Sequence, residues 1–133
     1  QQASSFRETF DFSESSHSAT STDNIGMLHR KMGEYPQALP YLNKALTIRE
    51  ETLPPNHPSL ATSYNNIGIV YKNTGEYSQA LSYYNKCLAN QKKTLPPDHP
   101  HLASAYNNIG ATYYELKQYS AALSYFQKVL DIR

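Results

Sequence analysis

Apolar and small residues recur along this chain at the spacing of one face of a helix. In the middle of the sequence Tyr64, Ile67, Gly68 and Tyr71 stand at i, i+3, i+4 and i+7. The pattern stops at Asn73-Thr74-Gly75, where Gly75 suits a left-handed cap. A second face starts near Tyr77 and runs through Ala80, Leu81, Tyr84, Cys87 and Leu88. Pro96 and Pro97 end it, because proline has no N–H to donate to the helix. Asn56-His57-Pro58 and Asp98-His99-Pro100 each read as a helix start, a polar cap followed by proline in the first turn. Strand signals are absent, so the predicted fold class is all-α.

This helix pair is repeated. Residues 19–60 and 61–102 agree at more than half of their positions without a gap, and residues 103–133 repeat the first part of the unit and stop before its linker. Residues 1–18 align with none of them. Gly26, Gly68 and Gly110 fall at the same place inside the first helix of each unit. Glycine there costs about 1 kcal/mol relative to alanine, and a recurring cost implies a recurring gain. The expected gain is close approach of the second helix, with Ala38, Ala80 and Ala122 as the facing small residues.

The composition fits a thin, repeated core. Of 133 residues 39% are hydrophobic, and aromatic content is carried by 12 Tyr against 4 Phe and no Trp. Many core rings therefore carry a hydroxyl that needs a partner or water. Net charge is +1 with both signs interspersed, without the basic stripe of a nucleic-acid binder. Cys87 is the sole cysteine, so no internal disulfide forms; it occupies the place of Ala45 and Val129 and reads as a buried, inert thiol. Residues 1–18 lack the basic start and apolar run of a signal peptide, and no stretch approaches the roughly 20 apolar residues of a membrane span. The expectation is a cytoplasmic protein with no membrane and no nucleic-acid partner.

The series Tyr64, Ile67, Gly68, Tyr71, Ala80, Tyr84, Cys87 and its copy Tyr106, Ile109, Gly110, Tyr113, Ala122, Phe126, Val129 resemble the tetratricopeptide signature. The first unit departs from it, with Thr22 and His29 in place of the two aromatics. Ordinary units of that family repeat at about 34 residues. The longer period here, with Leu53-Pro54-Pro55-Asn56-His57-Pro58 and Leu95-Pro96-Pro97-Asp98-His99-Pro100 as linkers, is similar to kinesin light chain and nephrocystin-3-type arrays. The resemblance implies a right-handed superhelical solenoid of antiparallel helix pairs, about three repeats, whose first helices line a concave face. It also implies a non-enzymatic scaffold for protein partners.

On those lining helices the residues expected to point away from the core are Thr62, Asn65, Asn66, Ile69, Lys72 and Asn73, with counterparts Thr20, Asp23, Asn24, Met27, Arg30 and Lys31 before and Ser104, Asn107, Asn108, Ala111, Tyr114 and Glu115 after. The series Asn24, Asn66 and Asn108 can hold the main chain of an extended peptide, since each amide both donates and accepts; local capping or plain solvation accounts for it as well. Arg30, Lys31 and Lys72 favour acidic side chains, and Asp23 and Glu115 dilute that charge. The resemblance to kinesin light chain implies an aromatic–acidic ligand. The clamp with which some tetratricopeptide domains grip the C-terminal carboxylate of heat-shock chaperones is not expected. Asp23, Met27, Asn66, Ser104 and Asn108 stand at its positions, and only Asn66 matches.

Other chemistry is thin. His99-x-His101 beside Asp98 has too few ligands for zinc, and His99 repeats His57, which points to a helix-start role. No nucleophile–base arrangement, phosphate loop or carboxylate pair is discernible, and no cofactor is expected. Residues 1–18 read as a disordered leader, as a cap on the first unit, or as an in-cis ligand through Phe10-Asp11-Phe12. Tyr119, Leu123, Phe126 and Leu130 on the last helix are expected to lack a covering helix, which favours self-association or a longer array. The alternative function is accordingly a structural, self-assembling or regulatory repeat module of a larger protein, such as a multidomain enzyme.

Overall fold

The computed structural model describes the backbone of residues 2–132 and the side chains of residues 17–132. Among the described residues there are six helices and no strand: α1 (Gln2–Lys31), α2 (Tyr35–Thr52), α3 (Pro58–Asn73), α4 (Tyr77–Thr94), α5 (Pro100–Glu115) and α6 (Tyr119–Ile132). They divide into two compact units, Gln1–Pro55 with the pair α1/α2, and Asn56–Arg133 with α3/α4 and α5/α6. The all-α array of helix pairs expected from the pattern is what the chain forms. Helix starts at Pro58 and Pro100 lie three residues before the register counted from Ala61 and Ala103.

Local chemistry explains the boundaries. His57 and His99 are the N-caps of α3 and α5, each in extended backbone with proline next. The Nδ1 atoms of His57 and His99 accept hydrogen bonds from Ser59 N and His101 N at 3.0 Å, satisfying donors that a helix start leaves open. The repeated histidine is thus a cap, as its recurrence implied. At the far ends Gly33 and Gly75 turn with φ of +77° and +84°. Glu76 N donates to Tyr71 O at 2.9 Å and Gly75 N to Lys72 O at 3.1 Å, closing the last carbonyls of α3. Lys117 holds the same place in the third pair at φ +62°, where a side chain costs about 1–2 kcal/mol. Pro40 sits inside α2, so one intrahelical bond is missing there.

In the first unit a single helix runs from Gln2 to Lys31, so residues 2–18 lead into the first repeat helix without a break. The side chains of Phe10-Asp11-Phe12 lie outside the described residues, and with them the suggestion that they occupy the groove.

The core of the second unit joins α4 to α5: Ala80, Tyr84 and Leu88 pack with Leu102, Ala105 and Ile109. Within each pair the helices close on the recurring glycine, as expected, and a large side chain comes nearest to it. A Cβ on Gly68 would lie 2.8 Å from the ring of Tyr84, one on Gly110 2.9 Å from Phe126, and one on Gly26 2.8 Å from Leu42. At Gly26 the backbone of the facing alanine is close as well, with Ala38 O at 3.2 Å. The glycine is a seat for a large side chain one turn beyond the alanine.

Tyrosine rings brace the flank of each pair. Tyr83 stacks on Tyr71 with centroids 5.7 Å apart, and Tyr125 on Tyr113 at 5.6 Å. Lys86 Nζ lies 5.0 Å from the Tyr83 centroid, within cation–π range. In the first unit His29 replaces the tyrosine and stacks on Tyr41 at 5.5 Å.

Replacing Gly68 with Ala tests the ring seat. Helix propensity gains about 1 kcal/mol, while overpacking a filled core costs about 1–3 kcal/mol. Tyr84 is only 2% exposed and has nowhere to retreat. Gly68→Ala is therefore expected to lower stability by about 1 kcal/mol in urea unfolding; an increase would mean the ring is not confined.

Candidate functional site

The first helices of the two pairs in the second unit, α3 and α5, border a cleft of about 210 Å³ with α4 at its base. Ala61, Ala105 and Cys87 form a buried floor, and Thr62, Ser104 and His101 an exposed rim. Asn65, Asn108 and Gln91 supply the polar walls. None of the nine lining residues is Lys, Arg, Asp or Glu. Asn108 Nδ2 donates to Asn65 Oδ1 at 3.1 Å, joining α5 to α3 across the cleft. Gln91 Oε1 is enclosed and has no hydrogen-bond partner. Burial pushes the Cys87 thiol up to about 11, so at neutral pH it is a protonated, weakly reactive group.

The expected binding residues fall into two groups. Asn65 and Asn108 are brought together in the cleft. Asn66 is half-buried and engaged within the fold, Asn107 and Asn73 are exposed, and Lys72 is half-buried, all outside the lining. Ile69 packs against the core cluster. In the first unit Asn24 and Lys31 are exposed, and Arg30 is half-buried with its Nε enclosed and without a hydrogen-bond partner.

Asp23 corrects the sequence reading. It does not face a ligand or dilute a surface charge: it is buried, and Arg49 Nη1 on α2 donates to its Oδ2 at 2.6 Å. A carboxylate there is held by its guanidinium partner inside the helix pair. Sequence reasoning also missed Gln91 and His101 as cleft residues. Gln91 follows Cys87 by one helical turn on the same stripe of α4 and holds the register position of Arg49, which was the available signal.

Fold and cleft together define a helical-repeat module of the protein-interaction class. The chain belongs to the tetratricopeptide repeat family, whose model matches residues 17–93 and 74–133. Similar solved structures share this fold. A Podosopora anserina chain assigned as a kinesin light chain, with nearly identical TPR-like repeats, is 23% identical at a TM-score of 0.78, covering 89% of this chain and 56% of that one. BtubC (BKLC) from P. vanneervenii is 22% identical at a TM-score of 0.80, covering 86% of this chain and 46% of that one. The N-terminal domain of stress-induced protein-1 from C. elegans is 18% identical at 0.70, covering 89% and 86%. The chain thus spans about half the length of the kinesin light chain-type structures it matches. No curated protein sequence matches it. No described helix is long and apolar enough to cross a membrane.

The ion pair and its neutral counterpart make a test. Arg49 and Asp23 become Gln91 and Asn65 one repeat on. Breaking a buried pair by removing one charge costs about 3–5 kcal/mol, because the other charge is stranded. Asp23→Asn and Arg49→Gln should each lower stability strongly, and the double variant should recover most of the loss. Urea titration of all four proteins measures the coupling; additive losses would show the pair to be unimportant.

Proposed function

We propose that the chain is a non-enzymatic scaffold that binds an extended peptide of a partner protein along the α3/α5 face. The observation that carries this is the cleft itself, in which Asn65, Asn108, Thr62 and Ser104 converge from two successive lining helices. Polar side chains fixed on helices lose little entropy when a ligand arrives, and amides and hydroxyls suit a peptide main chain. Acidic or aromatic–acidic sequences are the preferred class, with Lys72 on α3 as a source of attraction beyond the cleft. A carboxylate clamp of the heat-shock chaperone type is not part of the reading, since no cation lines the cleft. The setting is cytoplasmic, without a nucleic-acid or membrane partner.

A second reading, self-association, is favoured by one observation. Leu130 on α6 is 65% exposed, whereas its register mates Leu46 and Leu88 are 8% and 7% exposed. Tyr119 and Leu123 on the same helix are also exposed. On α1, Ile25 and Leu28 are exposed where their mates Ile67 and Val70 are buried. Two unpartnered surfaces of the kind that pack on each other between repeats suit a head-to-tail contact of copies.

A peptide array of aromatic–acidic sequences and their scrambles tests the first reading. Sequence-dependent binding is expected, weakened about tenfold or more by Asn108→Ala, the loss of about 1.4 kcal/mol in hydrogen bonding; binding no better than the scrambles would reject it. For the second reading, light scattering should show mass rising with concentration for the wild type and a monomer for Leu130→Glu. A wild type that stays monomeric at all concentrations removes the contact.

A further inference from the structure

The tyrosine braces hold more chemistry than packing uses. Tyr71 and Tyr83 stack with centroids 5.7 Å apart and planes 19° from parallel, and Tyr113 and Tyr125 repeat the contact at 5.6 Å and 17°. Burial, then the nearby oxygens of Tyr83 and Glu76, pushes the Tyr71 phenol up, which sets the Tyr83 hydroxyl near that of Tyr71. All four rings are half-buried. Among the described residues no protein group is hydrogen-bonded to their hydroxyls, and none of these hydroxyls is enclosed. Each phenol can therefore give its proton to water.

Two phenols in such a contact are what one-electron oxidation joins. Tyrosine is the most readily oxidised ring in this chain, which has no Trp. The competing thiol, Cys87, is buried and protonated, with burial pushing it up to about 11. Removing one electron from each phenol, with the hydroxyl proton passing to water, leaves two phenoxyl radicals. These join through the ring carbons ortho to oxygen, and the proton on each of those carbons moves to its oxygen, re-forming two phenols. In total two electrons go to the oxidant, two protons go to water, and one carbon–carbon bond is made. Rings held in contact on packed helices couple at an effective concentration that a second chain in dilute solution does not reach.

We propose that Tyr71–Tyr83 and Tyr113–Tyr125 are sites of intramolecular dityrosine formation by a one-electron oxidant, each link tying the two helices of one repeat across its turn. The other rings set the limits. In the first unit His29 takes the place of the first tyrosine and stacks on Tyr41, so that pair forms no link. Tyr64 and Tyr106 lie farther from Tyr83 and Tyr125, at 6.4 and 6.2 Å and tilted by 40° and 39°. Tyr114 and Tyr119 meet at 5.6 Å but edge to face, at 65°, which points the rim of one ring at the face of the other. Each brace link closes a short loop around the turn and restricts the unfolded chain, as a disulfide does.

Ruthenium tris-bipyridine photolysed with persulfate supplies a one-electron oxidant small enough to reach half-buried rings. The full chain is treated at low concentration, and the monomer isolated by gel filtration is read by dityrosine fluorescence, intact mass and peptide mapping. Expected are a loss of two hydrogen atoms per link, peptides joined from Tyr71 to Tyr83 and from Tyr113 to Tyr125, and a urea midpoint above that of the untreated chain. The double variant Tyr83→Phe/Tyr125→Phe keeps both stacks but removes one phenol from each, and should lose nearly all of the monomer's dityrosine. Its own urea curve shows that it is folded. The urea-unfolded chain, oxidised in the same way, should give these two links in much lower yield. No dityrosine in the monomer, links mapped to Tyr114–Tyr119 instead of the braces, undiminished coupling in the folded double variant, or equal yield of both links from the unfolded chain overturns the proposal.

Discussion

The distance between the two helices of a pair is set where a large side chain of the second helix presses on a glycine of the first. Tyr84 on Gly68, Phe126 on Gly110 and Leu42 on Gly26 leave no room for a methyl group. Much else follows from that contact in the central pair. With Tyr84 pinned inward, Cys87, Leu88 and Gln91 lie on the same stripe of α4 at three, four and seven residues further on. Leu88 reaches the core shared with α5, while Cys87 and Gln91 reach the cleft. Tyr83, one residue before, is turned to the flank and stacks on Tyr71. A seat for one ring thereby orients the core, the tyrosine brace and the wall of the candidate site.

Much of this was legible before any coordinates. The period of the repeat, the turn at Gly75, the start of α4 at Tyr77 and the capping role of the linker histidines all follow from local rules, because each depends on residues within a turn or two of one another. The glycines were half legible. Their recurrence showed that something approaches closely; which side chain fills the gap depends on helix rotation, and the large residue one turn beyond the alanine comes nearest in every pair. Lys117 escaped because its position lacks the glycine that marks the turn in the other two units, so only the backbone reveals it.

Asp23 was misplaced for a different reason. Its register mates are asparagines, and a polar column on a lining helix reads as solvent-facing. Its partner Arg49 is 26 residues away on another helix, beyond any one-helix pattern. Asn90 shows the same limit: it is buried on α4 and donates to His57 O at 3.1 Å, where the mate in the first unit is Ile48. Polar residues held by a distant partner break the equation of polarity with exposure, and they do so where a repeat differs from its neighbours.

Those differences matter more for function than what the repeats share. Shared positions, the glycine seat and the apolar stripe, are explained by packing alone and would serve any partner or none. Where one unit closes an ion pair between Arg49 and Asp23 and the next sets Gln91 and Asn65 at the same positions beside a cleft, packing gives no account of the change. The first unit therefore acts as an internal control for the second. The same helix-pair geometry accommodates a charged pair in one unit and two neutral amides in the next.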